Sequence, residues 1–333
     1  MVQLLMGKWV GNKMQNKSRI KKIGLNLGPR EPYMVEIAHL SDHLEVTNLV
    51  DIDIGSPFNF DTINEKNTLK NIGNNLKKAI LSEKITANDL LISLDYSMAV
   101  IKRLPIDNNL NDNELQEHVL WELQQHLISP VEEYNLDFQK LPKTSYQNYP
   151  SLLIVAVKKK IIKAVRYISK ISHLNLKLID INIFAFINAL EINYKLKSTE
   201  KIAAIEIAEN QLIFITLEGN KFLGFHPIRL NENLYPDKKT PPEKIYEEII
   251  KNMPLFISDY ETGENKTEFD RVFLFKNNKD LNLNEIIEIE SESKFEILNP
   301  LKRLSISPEL KEKIDPLSDY SELTESVGLA IRE

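Results

Sequence analysis

A strand, a tight turn and a returning strand occur twice in this chain, and this repeat constrains the fold more than any other feature. The first copy covers residues 24–37 and the second covers residues 205–216. Aligning Asn26 with Glu206 separates the copies by 206 − 26 = 180 residues, which places one near the start of each half. Such a unit at the head of two halves is typical of a duplicated nucleotide-binding fold. Both turns, however, carry proline, alanine or glutamate where a phosphate group would need bare backbone.

The composition predicts a folded protein of about two domains that does not cross a membrane. The chain has 333 residues, and no apolar run approaches the roughly 20 residues of a membrane span. It has no cysteine and no visible secretory signal, so the cytoplasm is the expected compartment. Residues 1–22 form a basic leader without an acid, although the net charge is −6. The leader is interpreted either as a loose terminus or as a weak anchor on an anionic lipid surface.

The middle of the chain has the best-marked helices and strands. Apolar residues at every fourth position from 115 to 127 predict a helix that begins at Asn111 and stops at Pro130. A second predicted helix starts at Lys158 and is basic outside its apolar stripe. With the neighbouring predicted strands, residues 96–178 form a β-α-β-β-α-β module. Further on, Pro254 is expected to end or kink a helix that begins at residue 243, and a final helix is expected over residues 318–332.

Several segments, taken in order, resemble one protein family. The segments with this resemblance are 101–105, 111–138, 153–158, 180–190, 297–300 and 327–330. Together they resemble the PilM family of type IV pilus assembly proteins over nearly the whole chain from Ile23. The resemblance implies an α/β fold of two duplicated actin-like (ribonuclease H-like) domains with an FtsA-type inserted subdomain. The implied division is a leader at 1–22, a first actin-like subdomain at 23–95, 179–200 and 318–333, the inserted subdomain at 96–178, and a second half at 201–317.

The resemblance also implies a scaffold role. PilM proteins lie in the cytoplasm under the inner membrane and hold the short cytoplasmic N-terminal segment of PilN, a single-pass membrane protein, in a groove beside the inserted subdomain. The assembly ATPase and a second copy of the chain are further possible partners, and peripheral membrane contact is possible. Nucleic acid is not an expected partner, because the chain is acidic overall and has no aromatic–basic platform. A role in a type II secretion platform of the GspL kind stays open as an alternative.

The nucleotide loops depart from the pattern of the family. Family members typically begin with an Asp-Ile-Gly-Ser-Ser-Ser type of loop, whereas this chain has Asn26 without a charge and Pro29 without an N–H group. In the second loop, Ala208 adds a Cβ atom, and Glu206 and Glu209 add negative charge. Two unit charges about 4 Å apart repel by about 4 kcal/mol at an effective dielectric constant near 20. The degenerate loop residues are Gly24, Asn26, Gly28, Arg30, Glu206, Ala208 and Asn210.

The predicted consequence is a non-enzymatic protein without a bound cofactor. The turn that would receive adenosine also lacks glycine, since residues 275–278 read Phe-Lys-Asn-Asn. A magnesium ion on Glu206 would be one way to keep Mg-ATP, so an actin-like ATPase with an unusual site is the rival hypothesis. No catalytic residue is predicted. No metal site is predicted either, because His118 and His126 are eight residues apart on one helix rather than four.

The candidate partner-binding residues lie in and after the inserted helices. Leu120 and Trp121 broaden the apolar stripe of the first helix, and Tyr134 and Phe138 share one face of the next strand. Each pair is interpreted either as core or as the wall of a peptide groove. An edge strand of the module could also accept a peptide. The basic residues of the second helix include Lys159, Lys163 and Arg166. They are interpreted either as a solvated face or as a surface that contacts an acidic partner or anionic lipid.

Overall fold

The computed structural model describes most of the chain. The described residues are 3–4, 20–28, 32–106, 112–144, 149–208, 210–230, 241–258, 268–277, 281–289, 295–315 and 318–332. Their strands are β1 (Gln3–Leu4), β2 (Ile20–Asn26), β3 (Tyr33–His39), β4 (Leu44–Asp51), β5 (Asp89–Leu94), β6 (Ala99–Pro105), β7 (Tyr134–Leu141), β8 (Ser151–Lys158), β9 (Asn175–Ile181), β10 (Lys201–Ile207), β11 (Gln211–Glu218), β12 (Lys221–Arg229), β13 (Arg271–Lys276), β14 (Phe295–Ile297) and β15 (Ser305–Ile306). Their helices are α1 (Lys66–Ser82), α2 (Asp112–Gln124), α3 (Lys159–Ser172), α4 (Asn182–Asn193), α5 (Pro242–Ser258), α6 (Leu283–Ile289), α7 (Pro308–Lys311) and α8 (Thr324–Ala330).

Two sheets with the same internal order confirm the duplicated fold predicted from the repeat. The first sheet has the order β1-β9-β5-β2-β3-β4-β15, and the second has the order β12-β11-β10-β13-β14. In the first sheet, the antiparallel meander β4-β3-β2 is followed by two parallel strands, β5 and β9. In the second sheet, the antiparallel meander β12-β11-β10 is followed in the same way by the parallel strands β13 and β14. The strands β2 and β10, which open the two copies of the repeat, are therefore equivalent.

The inserted module has a three-stranded sheet in the order β6-β8-β7. One face of β8 packs with α2, because Leu152, Ile154 and Ala156 join the core that contains Leu115 and Val119 of α2. The alternate residues of β8 point the other way and join the main core. The strand predicted to end the module, β9, pairs instead with β5 of the first sheet, because its buried side chains complete that sheet.

Three other boundaries differ from the expected division. Residues 20–22, assigned to the leader, already belong to β2. Residues 305–311, assigned to the second half, pack on the first sheet, where β15 pairs in parallel with β4. The final helix is shorter than expected: a 3₁₀ turn at Ser321–Leu323 precedes α8. Pro254 does not end helix α5, which continues to Ser258; beyond the proline, Phe256 packs on Phe214, with ring centroids 4.5 Å apart.

Helices α4 and α8 hold the two halves together. Both are almost wholly buried, and α8 packs against α4, β2 and β3. The close crossing depends on glycine: a Cβ atom on Gly328 would overlap the carbonyl group of Ala185, and one on Gly24 would overlap that of Ser326. The crossing places the start of α8 beside the ends of β2 and β10. In the part of the chain that the structure describes, no helix is long and apolar enough to span a membrane.

Candidate functional site

The end of β2 meets the start of α8 in a buried hydrogen-bond network. The side-chain amide of Asn26 donates to the carboxyl group of Glu325. Ser93 at the end of β5 donates its hydroxyl to Asn26 Oδ1 at 3.2 Å. The backbone N–H of Asn26 donates to Ser326 Oγ, also at 3.2 Å. Since Asn26 is only 9% exposed, the side chain that replaces the usual aspartate is fully engaged within the protein.

The end of β10 reaches the same network from the other half. Glu206 is 1% exposed and accepts hydrogen bonds from Asn277 at 2.6 Å and from Asn182 at 3.5 Å. Asn182 begins α4, and its Oδ1 accepts the backbone N–H of Tyr96 at 3.0 Å. Elements of both halves therefore converge on the pair formed by Glu206 and Glu325, which we call the cleft acid pair.

Burial and like charge keep protons on the cleft acid pair. Burial is the largest cause that raises the pKa of Glu206 well above its ordinary value, and the charges of Glu325 and Asp95 raise it further, against the hydrogen bond from Asn277. Burial, followed by the charge of Asp95, raises the pKa of Glu325 to about 8, although a hydrogen bond from Asn182 opposes the change. Two close carboxylates in a dry site cannot both ionise. At neutral pH the pair therefore retains at least one proton.

Two backbone N–H groups in the described parts of the two loops are already used within the protein. The N–H of Leu27 donates to the carbonyl oxygen of Ser93 at 2.9 Å, and that of Ala208 donates to Gln211 at 3.0 Å. Phosphate loops depend on such groups being free to point at the anion. Asn210 lies in the same turn, where its carbonyl oxygen accepts the N–H of Leu230 at 2.9 Å.

The two glycines of the first loop differ in what they do. Gly24 is required by the close approach of α8 rather than by a ligand. Gly28 has room for a Cβ atom, with Asn26 Oδ1 at 3.5 Å as its nearest neighbour. Pro29, Arg30, Glu31 and Glu209 lie outside the described residues.

A lysine lies at the end of β13, before the turn that would receive adenosine. Lys276 is 7% exposed and donates to the carbonyl oxygen of Leu281 at 2.8 Å. Its ammonium group also pairs with Asp319 at 3.2 Å and lies 3.7 Å from Glu322. These ion pairs join the end of β13 to the segment before α8.

Several network residues were missed by the sequence reasoning. Asn182, Ser93, Asp95 and Glu325 come from separate parts of the chain, and no local motif unites them. One sequence signal could have identified Glu325, because it is the single acid in the otherwise uncharged stretch 324–330. In the structure, every residue of this stretch is buried. Among the described residues, no group of three histidine, cysteine, aspartate or glutamate side chains is placed to hold a metal ion.

The candidate partner-binding residues separate into buried and exposed sets. Tyr134 and Phe138 pack toward α2 within the core of the inserted module. Leu120 and Trp121 instead lie on the outer face of α2, 40% and 59% exposed. The imidazole of His118 stacks with Trp121, with ring centroids 6.5 Å apart.

The basic residues of α3 form one exposed row. Lys159, Lys163 and Arg166 are exposed, whereas the apolar residues between them are buried against the first sheet and α1. None of the three contacts the cleft network in the described structure. The row is thus a separate surface from the cleft and from the outer face of α2.

Comparisons with known proteins agree with this architecture. The solved structure of a PilM–PilN type IV pilus biogenesis complex is similar, with a TM-score of 0.72 and 15% sequence identity, over 95% of this chain and 99% of that chain. The cytoplasmic domain of EpsL, an inner-membrane component of the type II secretion system of Vibrio cholerae, matches with a TM-score of 0.47 and 11% identity, over 91% of this chain and 98% of that chain. A Bacteroides thetaiotaomicron protein with an actin-like ATPase fold matches with a TM-score of 0.47 and 10% identity, over 85% of this chain and 92% of that one.

The actin-like fold expected from the sequence is therefore confirmed by the similarity to the PilM–PilN structure. A search of the curated proteins gave no match. A family model described as type IV pilus assembly protein PilM matches residues 24–223, which is more than half of the chain. The chain belongs to the PilM family of type IV pilus assembly proteins.

Proposed function

We propose that this chain is a non-catalytic cytoplasmic scaffold of a type IV pilus machine. It binds the short cytoplasmic segment of a single-pass inner-membrane protein of the PilN kind and is held at the membrane through that partner. Membership of the PilM family supports the assembly role, and the fold match is to a PilM in complex with PilN. The cleft acid pair is the observation that supports the loss of nucleotide binding.

The residues of the cleft do not fit Mg-ATP. A bound triphosphate would bring several negative charges next to Asp95 and the cleft acid pair, in a site where burial already disfavours one charge. Ionising both carboxyl groups to hold magnesium would also go against their raised pKa values. The amide groups that contact Glu206 already satisfy its oxygens. Asn182 and Asn277 thus already occupy the carboxyl oxygens of Glu206 that a magnesium ion would need.

Protein contact is proposed for the exposed surfaces of the inserted module. Leu120 and Trp121 offer an apolar contact surface on α2. These two neighbouring large apolar side chains are exposed, although the opposite face of the same helix already supplies its contacts with the core. Aromatic anchors of this kind often dominate the energy of an interface. The row Lys159, Lys163 and Arg166 would meet an acidic partner or the anionic leaflet.

A direct test is capture followed by titration. The full chain immobilised on resin is exposed to detergent-solubilised membrane proteins, and a synthetic peptide of the captured protein's cytoplasmic segment is then titrated by calorimetry. Saturable one-to-one binding is expected, with a scrambled peptide as the control. Failure to capture a single-pass membrane protein, together with no binding of the PilN-type segment at about 1 mM, would contradict the scaffold role.

The membrane role of the basic row has its own test. Reversing the charge of Lys159, Lys163 and Arg166 should reduce flotation with anionic vesicles if the row contacts lipid, because each basic residue near such a surface contributes about 1 kcal/mol. Reversal of the exposed lysines Lys66, Lys70 and Lys78 on α1 changes the same number of charges and provides a matched control. Unchanged flotation would restrict the row to protein contact.

A further inference from the structure

The two helices of the inserted module carry opposite charges. From residue 112 to residue 133, through α2 and the 3₁₀ turn after it, the chain has no lysine or arginine, and its acids are Asp112, Glu114, Glu117, Glu122, Glu132 and Glu133. From residue 158 to residue 170, over most of α3, it has no acid, and its basic residues are Lys158, Lys159, Lys160, Lys163, Arg166 and Lys170. Two segments of this kind attract each other wherever they can meet.

The inserted sheet keeps the two helices apart within one chain. Ile154 of β8 packs in the core that α2 covers, whereas the next residue, Val155, packs in the main core with Ile161 of α3. Helices α2 and α3 therefore lie on opposite faces of β8, and their outer faces point away from each other. One copy of the chain cannot bring its acidic helix face onto its own basic helix face.

The outer face of α2 has an apolar centre with acids beside it. Trp121 is 59% exposed, and Glu117 and Glu114, which precede it by one and two turns of the helix, are exposed on the same face. Leu120 extends the apolar part to one side, and Ile128, beyond the end of the helix, is almost fully exposed. This face therefore suits a cationic surface that can also cover apolar groups.

The outer face of α3 is such a surface. Lys159, Lys163 and Arg166 follow each other at spacings of four and three residues, which places them in one exposed row. Among the described residues, none of the three forms an ion pair. Their aliphatic stems can cover apolar side chains while their charged groups meet carboxylates or lie over the ring of a tryptophan.

We propose that the outer face of α2 binds the basic row of α3 (Lys159, Lys163 and Arg166) on a second copy of this chain. The inference rests on the proposed function, because it names the acidic partner of that row. The two surfaces differ and point away from each other, so each copy offers one surface to each of two neighbours. A head-to-tail contact of this kind does not end at two copies.

Sedimentation velocity of the full chain alone tests whether the contact forms. At 0.1 M salt, the mean sedimentation coefficient should rise continuously as the concentration increases from about 1 µM to about 500 µM. Raising the salt to 1 M shortens the Debye length from about 10 Å to about 3 Å. The rise should then require at least about tenfold more protein.

Two variants, each with one altered surface, test the head-to-tail arrangement. Leu120→Ala/Trp121→Ala removes the apolar centre of α2, and Lys159→Gln/Lys163→Gln/Arg166→Gln removes the basic row. Each variant alone should stay monomeric. An equal mixture should form a one-to-one dimer and nothing larger, because each variant keeps the surface that the other has lost. Formation of this dimer also shows that both variants are folded.

A matched control neutralises the same number and types of residues elsewhere. Arg303, Lys311 and Lys313 are exposed and lie outside the inserted module. Their replacement by glutamine should leave the assembly of the chain as it is in the wild type.

The outcomes separate this inference from the proposed function. A wild type that stays monomeric throughout, assembly that either variant retains, or a mixture that stays monomeric would overturn the contact between α2 and α3 and leave the scaffold role intact. A chain that assembles as expected but captures no single-pass membrane protein would instead overturn the proposed function.

Discussion

Glutamine in place of Glu325 should make the protein progressively more stable, relative to the wild type, as the pH rises. Glu325 is 5% exposed, and its pKa in the folded protein is about 8, against an ordinary value of 4.5. Between these values the folded state binds a proton that the unfolded state has released. The wild type therefore loses stability with rising pH by up to about 1.4 kcal/mol per pH unit for this proton. Glutamine has no proton to lose, so the variant lacks this contribution.

The expected size follows from the same two pKa values. Between pH 5 and pH 7, the free energy of unfolding of Glu325→Gln should rise relative to that of the wild type by up to about 2.7 kcal/mol, which is two pH units at about 1.4 kcal/mol each. Coupling to Glu206 makes this an upper value, because either member of the cleft acid pair can hold the proton. The assay is urea unfolding of both proteins at pH 5, 6, 7 and 8.

A control separates the pair from other buried acids. Burial also raises the pKa of Glu191 to about 8, but Glu191 lies on α4 and takes no part in the hydrogen bonds of the cleft network. The effects of Glu191→Gln and Glu325→Gln should therefore add, whereas those of Glu206→Gln and Glu325→Gln should not. A stability difference between Glu325→Gln and the wild type that does not change with pH would refute the protonated pair.

Three further tests probe the surrounding structure. Burial alone would raise the pKa of Glu36, but hydrogen bonds from Thr47, Asn48 and two backbone N–H groups lower it to about 2. Glu36→Gln should therefore lower the free energy of unfolding in urea by about 2 kcal/mol at pH 7. This loss should shrink as the pH falls below 4.5 toward 2. Gly24→Ala should cost about 3 kcal/mol because it forces α8 from β2, whereas Gly28→Ala should stay within about 0.5 kcal/mol; thermal melts distinguish them. Arg332→Met leaves the buried Asp180 without its cation and should cost about 3 kcal/mol in urea unfolding, and adding Asp180→Asn should restore part of the loss.

The sequence was sufficient for those parts of the fold that have a local cause. Helix α3 follows its apolar periodicity and begins at Lys159, one residue after the predicted start. Strand β9 was also recognised as a strand. Its sheet was not, because the choice between β5 and the inserted strands depends on contacts between distant segments.

The site could be predicted only in part for the same reason. Asn26, Glu206 and Ala208 are predicted to be poor phosphate ligands from the chemistry of each residue type alone, and this stays a prediction. The hydrogen-bond network around them could not be predicted, since it joins residues 26, 182, 206, 277 and 325 only after the halves have packed. The assignment of Gly24 to a phosphate loop illustrates this limit, because its lack of a side chain serves the contact with α8.

The central proposal is that this PilM-family chain has the actin-like architecture but does not bind nucleotide, because the cleft acid pair and its amide partners do not suit Mg-ATP. It is tested most directly by titrating the full chain with a fluorescent ATP analogue in the presence of magnesium. We expect no saturable binding up to about 1 mM nucleotide. Saturable binding with a Kd in the micromolar range would contradict the claim.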